Sequence, residues 1–291
     1  MTHSADLTLS AIHNPDGQPP LPLDAAVGYA RTVMEWDTQG TDPAVRAARD
    51  IPYGPHPLHR YNVFTPQGAE RAPVLVFWHG GGWTNGYRQW ATFMGRAACS
   101  LGLVLVAPSY RLAPTHPLPA GLEDALAALT HLRNGIAAWG GDPDRLFLAG
   151  HSAGGQIAAL TALLAPDGVV ACLPVSGIMD LRHPAPPPGS PEELVYTTVL
   201  AAPGLDTAMS PVCRVTGAGT KVPFLLTYGE HDTDRVIRSN RALAARLADH
   251  QVPVELVETA GADHFDTHTA LHSPDHTWYR RLAGMLRRSM T

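Results

Sequence analysis

Four short stretches of the chain contain side chains that can act as a nucleophile, an acid or a base. They are HGGGW (79–83), GHSAGG (150–155), GEHDTD (229–234) and GADHFD (261–266). Together they contain a serine, aspartates and histidines, the residue types that nucleophilic acyl transfer uses. Each stretch directly follows an apolar run, so the spacing indicates that the ends of separate strands carry these side chains.

The stretch GHSAGG fits the pattern G-x-S-x-G, in which Gly150, Ser152 and Gly154 are the fixed positions. In this pattern the serine lies on a sharp turn between a strand and a helix. A Cβ atom in place of either glycine would collide with neighbouring backbone. The helix that follows has free N–H groups at its start, which favour developing negative charge near the serine. A tight turn that carries an incidental serine is the alternative interpretation of this short pattern.

The glycines of HGGGW are a second indication of acyl transfer. Such an enzyme holds the oxyanion of its tetrahedral intermediate with preplaced backbone N–H donors, and loss of one donor typically slows the reaction by about 10²–10³-fold. Because glycines let the backbone approach a substrate closely, we expect Gly81, Gly82 and Ala153 to supply these donors. The alternative is a flexible glycine turn after a strand.

The acid and the base are predicted from their order along the chain, which is serine, acid and histidine in this architecture. Asp232 follows the apolar run FLLTYG, and His264 follows the run VELVETA. We therefore expect His264 to be the base and Asp232 its acid. Asp234 is the rival acid and Glu230 a more distant one, and either carboxylate could instead be a solvated loop charge.

The other histidines are expected to have different roles. His79 and His151 lie inside the glycine motifs, where we expect hydrogen bonds to the local turn backbone rather than proton transfer. His268, His272 and His276 are spaced four residues apart, which could place them on one helix face as metal ligands. The sequence contains no matching carboxylate pattern, so we expect neither a metal nor a cofactor.

The elements that position these motifs alternate between strands and helices over most of the chain. Apolar runs predict strands at 60–66, 72–80, 103–110, 145–150, 172–178, 223–229 and 254–260. Amphipathic or apolar patterns predict helices at 24–50, 93–102, 119–139, from about 153, at 239–250 and at 274–290. This alternation indicates an α/β fold with a mostly parallel central sheet. Sites in such sheets lie at the carboxyl ends of the strands, which is where the four motifs stand.

Composition narrows the classes of partner and location. The 291 residues are enough for one large domain, and 21 basic against 26 acidic residues give a formal charge of −5. We expect no nucleic-acid partner, because no basic stripe is present. We expect no membrane span and no secretory signal, because neither kind of apolar segment occurs. The three widely spaced cysteines favour reduced thiols in the cytoplasm, and a homodimer remains open.

The motifs resemble those of the α/β-hydrolases, specifically carboxylesterases of the hormone-sensitive-lipase-like type. The matching pieces are HGGGW (79–83), YRLAP (110–114), LEDAL (122–126), GGDPDR (140–145), GHSAGG (150–155), GEHD (229–232) and DHF (263–265), in the family's order. The resemblance implies a single α/β-hydrolase domain over 1–291, with helices on both faces of the sheet and a small lid or cap. It also implies that Ser152, His264 and Asp232 form the catalytic triad and that Gly81, Gly82 and Ala153 form the oxyanion hole.

Other features resemble a neighbouring branch that includes bacterial arylformamidases. These features are YGPHPLHRYNVFTP (53–66), the histidine of GHSAGG, SGIMDL (176–181) and the stretch 235–258. That branch usually has HGGYW, with a tyrosine at the position of Gly82, so this chain departs from its pattern. We expect cleavage of small or aryl acyl esters, with N-formyl aryl amides such as N-formylkynurenine as the alternative. A catalytically dead binding protein on this fold is a third hypothesis, disfavoured because every catalytic residue type is present.

The substrate pocket is predicted only in outline. The proline-rich segment 182–222 is a natural lid, with a short helix at SPEEL (190–194) that Ser190 would cap. A helical N-terminal segment, 1–50, is a second candidate cover. Candidate pocket aromatics are Trp83, Tyr87, Trp90 and Tyr196, and for each of them core packing is an equally good explanation.

Overall fold

The computed structural model of the chain describes residues 17–38, 42–216 and 221–288. Within these residues eight strands form one sheet in the order β1-β2-β4-β3-β5-β6-β7-β8. The strands are β1 (Val45–Pro52), β2 (Arg60–Pro66), β3 (Ala72–Trp78), β4 (Val104–Pro108), β5 (Gly141–His151), β6 (Val169–Val175), β7 (Phe224–His231) and β8 (Val254–Asp263). Strands β1 and β2 run antiparallel to their neighbours, and all other pairs are parallel. The prediction of a mostly parallel central sheet is confirmed.

The central strands are apolar without alternation because both faces of the sheet are covered. In β3, Val74 and Val76 belong to the hydrophobic core on one face, whereas Leu75 and Phe77 belong to the core on the other face. All four side chains are fully buried. Each such burial stabilises the fold by about 1.5–3 kcal/mol relative to an exposed side chain. The sheet that holds the motifs is therefore fixed from both sides.

Nine α-helices occur among the described residues. They are α1 (Asp24–Thr38), α2 (Gly95–Ser100), α3 (Ala120–Gly135), α4 (Ala153–Leu164), α5 (Pro191–Leu194), α6 (Pro211–Arg214), α7 (Asp234–Asp249), α8 (Asp266–Thr269) and α9 (Thr277–Arg288). Helices α3, α4 and α7 contribute to one core, and α1, α2 and α9 contribute to the other. The helices thus cover both faces, as the sequence predicts.

The N-terminal region differs from the predicted helix over 24–50. Helix α1 ends at Thr38, and Val45–Pro52 forms an edge strand that pairs antiparallel with β2. Backbone pairing with β2 overrides the helical pattern of this segment, in which most side chains remain exposed or half-buried. Residues 1–16 and 39–41 of the predicted 1–50 segment lie outside the described residues.

Other boundaries differ for local reasons. Helix α7 begins at Asp234, five residues before the predicted start, because the Thr233 hydroxyl accepts a hydrogen bond from Val236 N at 3.4 Å. In the predicted lid, Ser190 caps α5 by accepting from Glu193 N at 3.1 Å, which confirms the expected helix start. Residues 217–220 of the predicted 182–222 segment lie outside the described part of the chain. Among the residues that are described, no helix has the length and apolar character to cross a membrane.

Candidate active site

Ser152 occupies a strained turn between β5 and α4. Its backbone has φ 53° and ψ −119°, a conformation that L-residues rarely adopt. A Cβ atom on Gly150 would lie 2.4 Å from the Gly154 carbonyl oxygen, and one on Gly154 would lie 2.2 Å from the Trp78 carbonyl oxygen. The structure has the sharp turn that the pattern predicts and the steric need for both glycines.

His264 and Asp232 lie beside this serine in a hydrogen-bonded series. His264 Nε2 is 2.9 Å from Ser152 Oγ, and His264 Nδ1 is 2.8 Å from Asp232 Oδ1. In this geometry Nδ1–H donates to the carboxylate, and the serine hydroxyl donates to Nε2. The ring then carries its lone pair toward Ser152 Oγ, as a general base must.

The rival acids lie elsewhere. Asp234 is the exposed first residue of α7, and a Glu230 carboxylate oxygen accepts a hydrogen bond from Gly261 N at 2.8 Å. By contrast, the Asp232 side chain is entirely shielded from solvent. Burial raises the pKa of Asp232, but the hydrogen bond and charge of His264 and the amide of Thr233 outweigh burial, so the net pKa is lowered. The carboxylate beside His264 is therefore ionised.

Three backbone amides near Ser152 have no protein acceptor. Within the described part of the chain, the N–H groups of Gly81, Gly82 and Ala153 donate to no other residue. Gly81 has φ +115°, and a Cβ atom there would lie 2.1 Å from the Asn85 carbonyl oxygen. Ala153 is the first residue of α4, where N–H groups lack partners within the helix. These N–H groups can donate to an oxyanion without breaking an existing hydrogen bond.

A cavity of about 440 Å³ lies over Ser152. Its walls include the segment from Leu21 to Tyr29 and the segment from Pro191 to Val199, so the two predicted cover regions both contribute residues. Trp83 and Trp90 line it as well. A second cavity of about 420 Å³ is lined by Trp36 and His272 and contains none of the predicted catalytic residues.

Two of the predicted pocket aromatics do not line the cavity over Ser152. The Tyr196 hydroxyl donates to Asp206 Oδ2 at 2.7 Å and accepts from His183 N at 2.7 Å, so this side chain holds the segment together from behind. The Tyr87 ring packs edge-on against Trp90, with centroids 6.3 Å apart. The Tyr196 hydroxyl thus bonds within the predicted lid segment, and the Tyr87 ring contacts Trp90, which lines the cavity.

The two motif histidines have different partners. His79 Nδ1 lies 2.7 Å from the carbonyl oxygen of Gly80, which confirms the expected bond to the local turn. His151 differs, because its Nε2 lies 2.8 Å from the carbonyl oxygen of His264 on a distant loop. Burial lowers the pKa of His79 to about 4 and that of His151 to about 3. Both rings are therefore neutral near pH 7, and His151 fastens the loop of the predicted base.

The predicted histidine row does not lie on one helix. His268 is in α8, His272 is in the 3₁₀ turn Ala270–His272, and His276 precedes α9. The Tyr29 hydroxyl lies 2.8 Å from His268 Nδ1, and His272 stacks on Trp36. No group of three or more metal-ligating side chains occurs among the residues that the structure describes. His268 and His272 pack against aromatic side chains instead.

Sequence reasoning missed several residues that line the cavity over Ser152. Tyr29, Glu192 and Arg235 belong to elements on three different sides of it. The only sequence signal for Arg235 is its place three residues after Asp232, at the start of an amphipathic helix. Tyr29 and Glu192 lie in the two predicted cover segments, but nothing in the sequence singles out either residue within its segment.

Comparison with known proteins identifies related chains. A family model described as alpha/beta hydrolase fold matches residues 75–266. The carboxylesterase NlhH of Mycobacterium tuberculosis is 45% identical over 103 residues, which are 35% of this chain and 32% of that protein. The esterase LipQ of the same organism is 32% identical over 250 residues, which are 77% of this chain and 58% of that protein. The matched segments thus span less than two thirds of these curated relatives.

Solved structures show the same fold. An esterase of Pyrobaculum calidifontis superimposes with a TM-score of 0.74 at 24% identity, covering 94% of each chain. A carboxylesterase named EstE1, cloned from a metagenomic library, gives a TM-score of 0.71 at 22% identity and covers 91% of this chain and 95% of its own. At these identities the likeness concerns the fold.

Proposed function

Because the chain belongs to the family with the alpha/beta hydrolase fold, we propose that it is a serine hydrolase that cleaves small or aryl carboxylic esters. The observation that carries this proposal is the continuous series from Ser152 Oγ through His264 to Asp232, in which Ser152 and His264 line one cavity. The esterase names of the relatives favour an ester substrate.

The proposed mechanism uses only groups of the protein and water. His264 Nε2 takes the proton of Ser152 as its Oγ attacks the ester carbonyl, while Asp232 keeps Nδ1 protonated and stabilises the imidazolium that forms. The amides of Gly81, Gly82 and Ala153 hold the oxyanion. His264 returns the proton to the leaving alcohol, and water then hydrolyses the acyl-enzyme with the same residues in reversed roles.

We assign the cover of this site to two segments. The N-terminal segment is fastened by Asn85 Nδ2, which donates to the Pro19 carbonyl oxygen at 2.6 Å, and by Gln18, which bonds the backbone of Gly86. The second segment includes α5 and the π-helical turn Val195–Val199. Both contribute apolar walls over Ser152, so we propose that they select the acyl or alcohol group by shape. For location we propose the cytoplasm, since Cys99, Cys172 and Cys213 are all free thiols.

The test is hydrolysis of 4-nitrophenyl butyrate by the wild type and by Ser152→Ala. We expect turnover by the wild type and a loss of at least about 10³-fold in kcat for the variant. Ser100→Ala, an exposed serine at the end of α2, is the matched control and should keep full activity. Unchanged hydrolysis by Ser152→Ala would refute the proposal.

The same assay separates esters from N-formyl aryl amides. We expect kcat/KM for phenyl acetate to exceed that for N-formylkynurenine. A strong preference for N-formylkynurenine would reverse this ranking while leaving the proposed nucleophile unchanged.

A further inference from the structure

Arg235 lines the cavity over Ser152 and has no carboxylate partner. Its side chain is half-buried at the second residue of α7. Its hydrogen bonds go to two backbone carbonyl oxygens, from Nε to Asp180 at 3.4 Å and from Nη2 to Leu181 at 3.2 Å. No carboxylate of the described residues lies within ion-pair distance of it, and its Nη1 donates to none of their acceptors. Arg235 is therefore a cation in the cavity wall whose Nη1 can still donate hydrogen bonds.

The charge of Arg235 is costly in this place. Burial lowers the pKa of Arg235, because a partly desolvated cation loses hydration that its surroundings replace only in part. Asp180, whose backbone carbonyl accepts from Arg235, has its carboxylate paired with Arg182 at 2.7 Å. An anion that enters the cavity would supply the missing partner.

Glu192 and Asp180 attract the charge of Arg235, but they offset only part of the effect of burial on its pKa. Arg238, one turn further along α7, also lines the cavity and adds a second cation. The carboxylates Glu192 and Asp234 line it too, but each lies in the first turn of a helix, where free N–H groups favour negative charge. Asp234 is moreover exposed to water. The wall thus carries charges of both signs, and Arg235 is its half-buried cation.

From this arrangement, and resting on the esterase activity proposed above, we infer that the natural substrate is an ester that carries a carboxylate, which Arg235 binds. A sphere with the cavity's volume has a diameter of about 9 Å, so the carboxylate lies roughly four to six bonds from the ester carbonyl. Monoesters of short dicarboxylic acids, and aryl esters with a ring carboxylate, have this size.

The experiment compares three 4-nitrophenyl esters of similar acyl length. They are the anionic glutarate monoester, the neutral valerate and the cationic 4-trimethylammoniobutyrate. We expect the wild type to have the highest kcat/KM for the anionic ester, with a preference that falls in 0.5 M NaCl. Arg235→Gln should lower kcat/KM for the anionic ester by about tenfold or more, because a charged hydrogen bond is lost, while the neutral ester changes less than about twofold.

Two further variants distinguish the effect of the charge at position 235 from the effect of the overall charge of the protein. Arg235→Lys keeps the positive charge and should retain part of the preference. Arg246→Gln removes an exposed arginine from the same helix, outside the cavity lining, and should behave as the wild type. If Arg235→Gln does not fold, inhibition of the wild type replaces it, and free glutarate should compete with the valerate ester whereas glutaramide should not.

A second pair of substrates carries the test charge on the leaving group. It compares the anionic ester 3-acetoxybenzoate with the neutral ester 3-acetoxybenzamide. The inference is overturned if Arg235→Gln alters neither charge preference, if glutarate does not compete, or if the wild type prefers the cationic ester. These outcomes leave the proposed esterase intact as long as the neutral esters are cleaved through Ser152. If the wild type cleaves none of the esters, the proposed function fails first and this inference with it.

Discussion

Replacement of Asp232 by asparagine tests the hydrogen-bonded series most directly. Asp232 Oδ1 accepts from both Thr233 N at 2.9 Å and His264 Nδ1 at 2.8 Å, and Oδ2 accepts from Gly229 N at 3.4 Å. Asparagine has the same shape but carries an NH₂ group, which must face a donor in either orientation. Because asparagine keeps the shape of aspartate, the variant should fold, but it lacks the charge that stabilises the His264 imidazolium.

The magnitude follows from the charge separation. A hydrogen bond of 2.8 Å between His264 and Asp232 places the two charge centres about 4 Å apart, where their attraction is about 4 kcal/mol at an effective dielectric constant of about 20. At about 1.4 kcal/mol per tenfold in rate, kcat should fall by about 10³-fold in Asp232→Asn.

Asp234→Asn is the matched control because it lies two residues away and removes the same charge. Its exposed carboxylate lines the cavity at the first turn of α7 but makes no hydrogen bond to Ser152, His264 or Asp232, so kcat should change less than about threefold. The assay is kcat and KM for 4-nitrophenyl butyrate between pH 6 and 9, with circular dichroism to check folding. The assignment of the acid is wrong if Asp234→Asn is the variant that loses activity, or if Asp232→Asn keeps more than a tenth of the wild-type kcat.

Two other predictions concern the backbone donors and stability. In Gly81→Ala the new Cβ would collide with the Asn85 carbonyl oxygen, and the resulting shift must displace the amides of the oxyanion hole. We therefore expect kcat for 4-nitrophenyl butyrate to fall by about 10²-fold. Activity equal to that of the wild type would show that Gly81 is not part of the oxyanion hole. Buried His79 and His151 have pKa values lowered to about 4 and about 3, so the unfolded chain binds more protons below about pH 6.5 and stability is lost as pH falls from there toward pH 4. Calorimetry should show Tm falling from pH 7 to pH 5, before the aspartates titrate, and a constant Tm would contradict neutral burial of these rings.

The parts of the fold that follow local rules could be predicted from the sequence. Strands β3, β4 and β5 appear as continuous apolar runs because both of their faces are buried, and the turn at Ser152 appears because only glycine fits beside it. The order of the motifs also places Asp232 and His264 at neighbouring strand ends. Each of these features depends on a short segment, so the residue types of that segment are enough to predict it.

Features that depend on competition between distant residues could not be predicted in this way. The pattern of residues 45–50 is compatible with a helix, and only the available edge of β2 makes it a strand. Tyr196 is an aromatic residue of the predicted lid segment, yet its hydroxyl donates to Asp206 and its side chain does not line the cavity. The His151 side chain reaches the loop of His264, which is 113 residues away.

The charge of the cavity illustrates the same limit most clearly. Asp180 could pair with either Arg182 or Arg235, and a sequence reader has no reason to prefer one. Arg182 reaches both carboxylate oxygens of Asp180, at 2.9 Å and 2.7 Å, so the bidentate pair takes the acid away from the cavity wall. Arg235 is left with two backbone carbonyls and a side chain that faces the site. Because this outcome is decided by geometry around Asp180, the proposed charge preference of the pocket depends on a choice of ion-pair partner rather than on the catalytic motifs.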